Sequence, residues 1–384
     1  MWKKIAFTGG GTAGHIFPGL AVCDELKSLS KEQNQELQIF WIGNSRGMDK
    51  KIVESACGPE GVSADKFYGI PSGKLRRYFS FQNFLDLFKI FAGFVKSFFI
   101  LLKIKPDVLF SKGGFVSVPP CLAARLLKIP VFTHECDFSV GLANRINCKS
   151  AKKMLLSYEE TKKYLGAVQK EKAVVTGNPV RPVFYKTDAA IGKKFLGLED
   201  NGENKKPVLL VLGGSSGAKQ INTLVKDSID FLCTHFTVVH QTGLLNTNSD
   251  EVEALKSKYK DSYKPYQFIY DEMPHVVACS DLILSRAGAN SIWECAVLKK
   301  PMILVPLCGN GTRGDQVDNA EYFEKAGCAK VLLGEKATKD YLEESLSWIL
   351  ENDNLKKMSD NLGKLTKGEK PALKIAKLIL EECK

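Results

Sequence analysis

Residues 5–19 read IAFTGGGTAGHIFPG: an apolar run that ends in a glycine-rich turn and passes into a helix-compatible stretch. Taken as Gly9-x-Gly11-x-x-Gly14, the turn fits the fingerprint of dinucleotide-binding proteins. There, glycines keep a strand-to-helix turn tight and the helix N-terminus offers free N–H groups to a pyrophosphate. The fingerprint also calls for an Asp or Glu about 20 residues on, at the tip of the second strand, to hold a ribose. Here the second strand, expected at 37–42, runs into Gly43-Asn44-Ser45 with no acid at its tip. The stretch therefore opens an α/β unit without the partner a nicotinamide or flavin enzyme needs.

A second start follows in the other half of the chain. Pro207 to Leu212 reads as a strand, and Gly213-Gly214-Ser215-Ser216-Gly217-Ala218 is another glycine-rich turn feeding a helix. Around these two starts, β and α signals alternate as in parallel sheets covered by helices. Strands are expected at 3–8, 37–42, 107–110, 130–133 and 173–176, and then at 207–212, 236–240, 282–285 and 301–305. Prolines in Gly177-Asn178-Pro179-Val180-Arg181-Pro182 interrupt the pattern, and a polar stretch runs from Glu199 to Lys206. The reading is α/β: two doubly wound, Rossmann-like domains facing a cleft, at 1–180 and 181–369. A short last helix, about 370–384, is allocated to neither, although it can pack on the first.

The 384 residues suit two such domains, and 44% hydrophobic with 25% charged residues describes a soluble globular protein. Met1-Trp2-Lys3-Lys4 leads into the glycine turn rather than an apolar signal segment, so a cytoplasmic location is expected. Eleven scattered cysteines without a C-x-x-C pair support neither a disulfide framework nor a zinc ribbon. The formal net charge of +11 asks for a negatively charged partner. Between Lys66 and Lys112, nine Lys/Arg face only Asp86 and Asp107. There Phe84, Phe88, Phe91, Val95, Phe98 and Leu102 follow helical spacing, which reads as a core helix over 88–102 covering the sheet. Leu75, Arg76, Arg77, Tyr78, Phe79 and Phe81, cationic and aromatic together, read as a membrane-surface contact.

Ligands of such sheets bind at the carboxyl ends of the strands, which brings several loops into question. The 213–218 turn can cradle phosphate with backbone N–H groups and the Ser215 hydroxyl. Glu294, early in a helix after Ser285-Arg286-Ala287-Gly288, can accept hydrogen bonds from a ribose diol or simply complement its helix dipole. Asp315, Gln316 and Asn319 open another helix and suit sugar hydroxyls. In the first half, Lys112-Gly113-Gly114-Phe115 and His134-Glu135-Cys136-Asp137 each follow a strand. Of five histidines, His15 and His134 are catalytic candidates because they lie on loops; His235, His240 and His275 read as structural. No D-x-D or H-x-x-H is present, so no metal site is expected, and diphosphate charge would fall to helix dipoles and cations such as Arg181.

Seven segments then carry a resemblance: GGGTAGHIFPGLAV at 9–22, SKGGFVSVPP at 111–120, the loop from His134-Glu135, GNPVR at 177–181, LGGSSGA at 212–218, SRAGAN with Glu294, and GDQVDNA at 314–320. In this order they resemble the lipid I N-acetylglucosaminyltransferases of peptidoglycan synthesis, over almost the whole chain. The resemblance implies a GT-B fold. It also implies inverting transfer of N-acetylglucosamine from UDP-N-acetylglucosamine to the muramoyl 4-hydroxyl of an undecaprenyl-diphosphate-linked acceptor, with no cofactor or essential metal and no nucleic acid partner. The protein would lie on the cytoplasmic face of the membrane. By position, Ile269 would contact uracil through its backbone, Glu294 the ribose, Ser215 and Arg181 the diphosphate, and Asp315, Gln316 and Asn319 the donor sugar. Thr12, Gly14, Gly113, Gly114 and Asp137 would face the acceptor, with His15 or Glu135 as the base. Asp137 stands where many relatives have Asn. Rival readings are a UDP-sugar 2-epimerase, another UDP-sugar-dependent lipid glycosyltransferase, a nicotinamide oxidoreductase and a non-enzymatic nucleotide-binding module.

Overall fold

The computed structural model describes residues 2–73, 81–198, 206–214, 216–245, 249–309 and 312–383, without the side chains of 81–83 and 85. Residues 75–79, the Phe81 side chain and Ser215, all singled out above, lie outside it. The chain divides into two compact units, Met1–Pro182 with Lys370–Lys384, and Val183–Glu369.

In the first unit, β1 (Lys3–Thr8), β2 (Leu37–Asn44), β5 (Lys66–Ile70), β6 (Val108–Ser111), β7 (Val131–Glu135), β8 (Lys153–Leu156) and β9 (Ala173–Val175) form one sheet. Its order is β5-β2-β1-β6-β7-β8-β9 and every pairing is parallel. A small antiparallel ribbon, β3 (Cys57–Gly58) with β4 (Gly61–Val62), stands apart. Because helices cover both faces, β6 and β7 are buried at every residue, as parallel strands of this kind must be. One face packs Phe7, Trp41 and Leu20 against Ile375 and Ile379, which brings the last helix, Pro371–Glu382, onto this unit. The other face packs Ile42, Leu109 and Val116 against Leu101 and Ile104.

The second unit repeats the scheme with β10 (Val208–Leu212), β11 (Thr237–Gln241), β12 (Tyr263–Tyr266), β13 (Leu282–Ser285), β14 (Met302–Leu304) and β15 (Ala329–Val331). The order is β12-β11-β10-β13-β14-β15, again all parallel. In each sheet the strand order reverses beside the strand that feeds a glycine-rich turn, between β1 and β6 and between β10 and β13, where ligands of open α/β sheets bind.

Two differences from the sequence reading have clear causes. Strands β5, β8, β12 and β15 were not expected. Three of these are edge strands, and edge β12 even tolerates Pro265, whose missing N–H costs nothing on its unpaired side. The aromatic stripe is the larger correction. Helix Phe81–Ile104 buries Ser97, Ile100, Leu101 and Ile104 on the sheet, while Phe84, Leu87, Phe88, Phe91, Val95, Phe99 and Leu102 are exposed, Phe91 to 66%. The helix is apolar almost all round, so periodicity alone could not say which face meets the core.

Candidate functional site

The polar residues at the carboxyl ends of β1, β6 and β7 form a connected network. Turn 113–115 lies against turn 10–15: a Cβ on Gly114 (φ 77°) would lie 2.8 Å from His15 Cδ2, and one on Gly11 (φ 80°) would run into the Phe115 ring. Only glycine permits both the backbone conformation and the approach. His15 is half-buried at the end of a short 3-10 turn, and its N–H donates to Thr12 O at 3.1 Å. Thr12 is exposed; Gly14, Gly114 and Asp137 are partly so.

Beneath the second turn, Asn147 donates to Ser111 Oγ (3.1 Å) and Ser117 Oγ (2.7 Å), and Gly113 N–H donates to Ser111 Oγ at 3.2 Å. Gly113 is buried, so of this turn's two glycines assigned to the acceptor only Gly114 is presented. Asn144 receives Thr133 Oγ1 (2.7 Å) and donates to His134 O and Glu135 Oε2. Sequence reading missed these amides, because nothing about an Asn in a helix marks it as a brace.

Glu135 is part of this network. Its carboxylate is 3% exposed and accepts from Asp137 N, Gly141 N and Asn144 Nδ2 at 2.9–3.1 Å. A carboxylate with three of its four acceptor sites occupied organises the 135–144 loop. His134 is corrected. It is fully buried, with Nε2 3.0 Å from Gly177 O, and burial together with the Lys112 charge holds it well below the usual imidazole range. It is a neutral structural histidine.

Lys112 is 1% exposed, its ammonium buried under the turn. Its charge acts on His134 and on the Cys136 thiol, which burial nevertheless pushes up to about 12. The ligand atoms of Glu135, Cys136 and Asp137 lie within 4.8 Å of one another. They make a poor cation site: three of the glutamate's four acceptor sites are taken, the thiol is protonated, and a fixed ammonium adjoins.

Arg181 belongs to the first unit, with its guanidinium 5.3 Å from the Phe17 ring centroid and its charge felt by Asp24. On the same unit, exposed Leu122 and Leu126 of helix Val118–Leu126 add to the apolar helix face. Among the described residues no helix is long and apolar enough to cross a membrane.

In the second unit, Glu294 lies in helix Ala289–Val297, which starts from Gly288 just beyond β13, and is half-buried. Arg286 ties this strand end down by donating to Gln220 Oε1 (2.7 Å) and Val305 O (2.9 Å). Asp315 opens helix Asp315–Lys325 and pairs with Arg313 at 3.0 Å, and Gln316 Oε1 accepts Leu307 N–H at 2.9 Å. Asn319 is fully buried, with Nδ2 3.3 Å from Ala287 O. It braces the turn before Glu294 rather than reaching a sugar. Ile269 is also buried, and its N–H is committed to Gln241 Oε1 at 3.0 Å. His235, His240 and His275 are structural: His240 sits between Tyr263 OH and Asn222 Oδ1, His235 Nδ1 is 2.9 Å from Phe231 O, and His275 Nδ1 accepts Asp188 N–H.

Two family models match the chain: the glycosyltransferase family 28 N-terminal domain over residues 5–156 and its C-terminal domain over 208–379. The chain is 52% identical to the UDP-N-acetylglucosamine--N-acetylmuramyl-(pentapeptide) pyrophosphoryl-undecaprenol N-acetylglucosamine transferase of Treponema denticola, over 97% of this chain and 96% of that one. The enzyme of the same name from Clostridium tetani is 39% identical over 92% and 91%. Among solved structures, Acinetobacter baumannii MurG shares the fold with a TM-score of 0.72 at 24% identity, covering 99% of both chains. The UDP-GlcNAc 2-epimerase of Neisseria meningitidis, bound to UDP-GlcNAc, shares it with a TM-score of 0.65 at 17% identity, covering 100% of this chain and 99% of that one.

Proposed function

The chain belongs to glycosyltransferase family 28, and from that membership we propose that it transfers N-acetylglucosamine, with inversion, from UDP-N-acetylglucosamine to the muramoyl 4-hydroxyl of undecaprenyl-diphospho-N-acetylmuramoyl-pentapeptide. The observation that carries this reading is the 52% identity to such a transferase over nearly the full length of both chains. Likeness to the epimerases is one of fold, at 17% identity or less.

In this reading the first unit takes the acceptor and the second the donor. Thr12, Gly14, Gly114 and Asp137 face the acceptor, and Lys112 supplies fixed positive charge beneath its diphosphate. Glu294 holds the ribose, the turn around Ser215 the donor diphosphate, the Ile269 carbonyl the base, and Asp315 with Gln316 the sugar. His15 accepts the proton of the 4-hydroxyl as that oxygen bonds to the anomeric carbon and the bond to UDP breaks. With three of the four acceptor sites of Glu135 taken by its loop, His15 is the stronger of the two base candidates. The exposed phenylalanine face of helix Phe81–Ile104 seats the protein on the cytoplasmic membrane surface, where the polyprenyl acceptor resides.

The test is incubation of the purified protein with UDP-N-acetylglucosamine and a polyprenyl-diphosphate acceptor bearing the muramoyl peptide. UDP release that requires the acceptor, with a disaccharide product, is expected. Epimerised sugar formed without acceptor would overturn the reading.

A further inference from the structure

We infer that Asp49 is a positioning residue that sets the place of His15 by anchoring the first glycine turn from beneath; this rests on the proposed role of His15. Asp49 is the first residue of helix Asp49–Ser55, directly after β2, and is 1% exposed. Its carboxylate receives Gly11 N–H on both oxygens, at 2.9 and 3.2 Å, and Asn44 N–H on Oδ2 at 2.8 Å. Burying a carboxylate is costly, and these charge-assisted bonds are what the fold returns for it. They connect the middle of the glycine turn to the end of β2. Trp41 Nε1, donating to Gly9 O at 3.2 Å, holds the start of the same turn.

The turn in its anchored position leaves no slack before His15. Gly10 O and His15 Cδ2 both lie within 3 Å of where a Gly114 Cβ would stand, so the two turns meet backbone to ring. His15 N–H closes onto Thr12 O, one residue beyond Gly11. A shift of Gly11 therefore moves the imidazole. The geometry also redefines the turn: Gly11 N–H, which the glycine fingerprint would give to a phosphate, is committed to a protein carboxylate. A negative charge beneath the turn makes it a poor anion cradle and leaves it the task of presenting His15.

The test is a double-mutant cycle in the full-length protein, with turnover and both Michaelis constants measured for Asp49→Ala, His15→Ala and the double variant. His15→Ala is expected to lower kcat by roughly 10²–10⁴. Asp49→Ala should lower kcat by about tenfold to a hundredfold, the cost of misplacing a reacting group, with the donor Michaelis constant within about twofold of the parent. Because Asp49 acts through His15, the double variant should turn over within about threefold of His15→Ala alone. If instead the two losses multiply while His15→Ala is impaired as expected, Asp49 acts independently and the inference is overturned, with the reading of His15 intact. Near-normal turnover of His15→Ala overturns that reading and the inference together. Should Asp49→Ala fail to fold, Asp49→Asn, whose carbonyl oxygen can still accept from Gly11 and Asn44, takes its place in the cycle with a smaller expected loss and the same criterion.

Discussion

At the scale of single residues, burial separates groups that hold the site from groups that can reach a ligand. Glu294 is half-buried on a helix that begins at a strand end, in reach of a ligand, whereas Asn319 nearby is sealed against Ala287 O. Glu294→Ala should weaken UDP-N-acetylglucosamine binding by roughly ten- to a hundredfold, the loss of hydrogen bonds to a charged acceptor. Isothermal titration of the donor checks this, and an unchanged dissociation constant would remove Glu294 from the site. Lys112 poses the opposite case, a buried ammonium set against the Cys136 thiol and His134. Such a charge destabilises the fold, so Lys112→Met should raise stability by about 1 kcal/mol while lowering kcat/KM for the acceptor. Urea unfolding and acceptor kinetics together decide it; a less stable variant would mean that the ammonium is neutralised by its surroundings. At this scale the sequence pointed to loops at strand ends but not to which side chains in them are buried. Glu135 finds its partners Gly141 and Asn144 within its own loop, whereas His134 meets Gly177, 43 residues on.

At the scale of elements, helix Phe81–Ile104 shows what a wide apolar surface does to pattern reading. Its sheet-facing side carries Ser97, whose hydroxyl donates to Gly93 O, while its solvent side carries phenylalanines. The more aromatic side is thus not the one that packs. Phe88, Phe91 and Phe99 are each more than 60% exposed, so replacing all three by Ser should leave the fold intact. Each ring removed costs on the order of 1 kcal/mol of burial in a lipid surface. The triple variant should therefore lose at least about tenfold in partitioning to anionic vesicles, at any salt concentration. Replacing exposed Lys96 and Lys103 should matter chiefly at low salt. Vesicle sedimentation of the triple variant indistinguishable from the parent would take this face out of membrane contact.

At the scale of the whole molecule, the two units respond differently to acid. His240, in the second unit, is held at about 4 by burial against an ordinary 6.5. Below pH 6.5 the unfolded chain takes up a proton that the folded one refuses, so this contribution is complete above 6.5 and lost as pH falls toward 4, on the order of 3 kcal/mol. In the first unit His134 acts in the same direction, but Asp24, raised by burial to about 6 from 3.8, acts in the other: its folded form gains protons first, which adds stability as pH falls through 6. Urea unfolding at pH 7 and pH 4.5 should accordingly show the second unit losing more stability, and His240→Gln should flatten its pH dependence; an unchanged dependence would place the acid sensitivity elsewhere. Sequence by itself determined the duplicated α/β plan, because a strand, a glycine turn and a helix start are local signals, and residues 5–19 and 207–218 each contain all three. It also determined which loops lie at the carboxyl ends of the strands β1, β6, β7, β10 and β13, since these follow directly from where strands end. Only the tertiary structure decided that Asp49 anchors the first turn, that Asn144 and Asn147 brace the second, and which face of the aromatic helix is covered. Those depend on contacts between residues far apart in the chain, such as Gly11 with Asp49, and no local pattern encodes which distant donor will meet which buried acceptor.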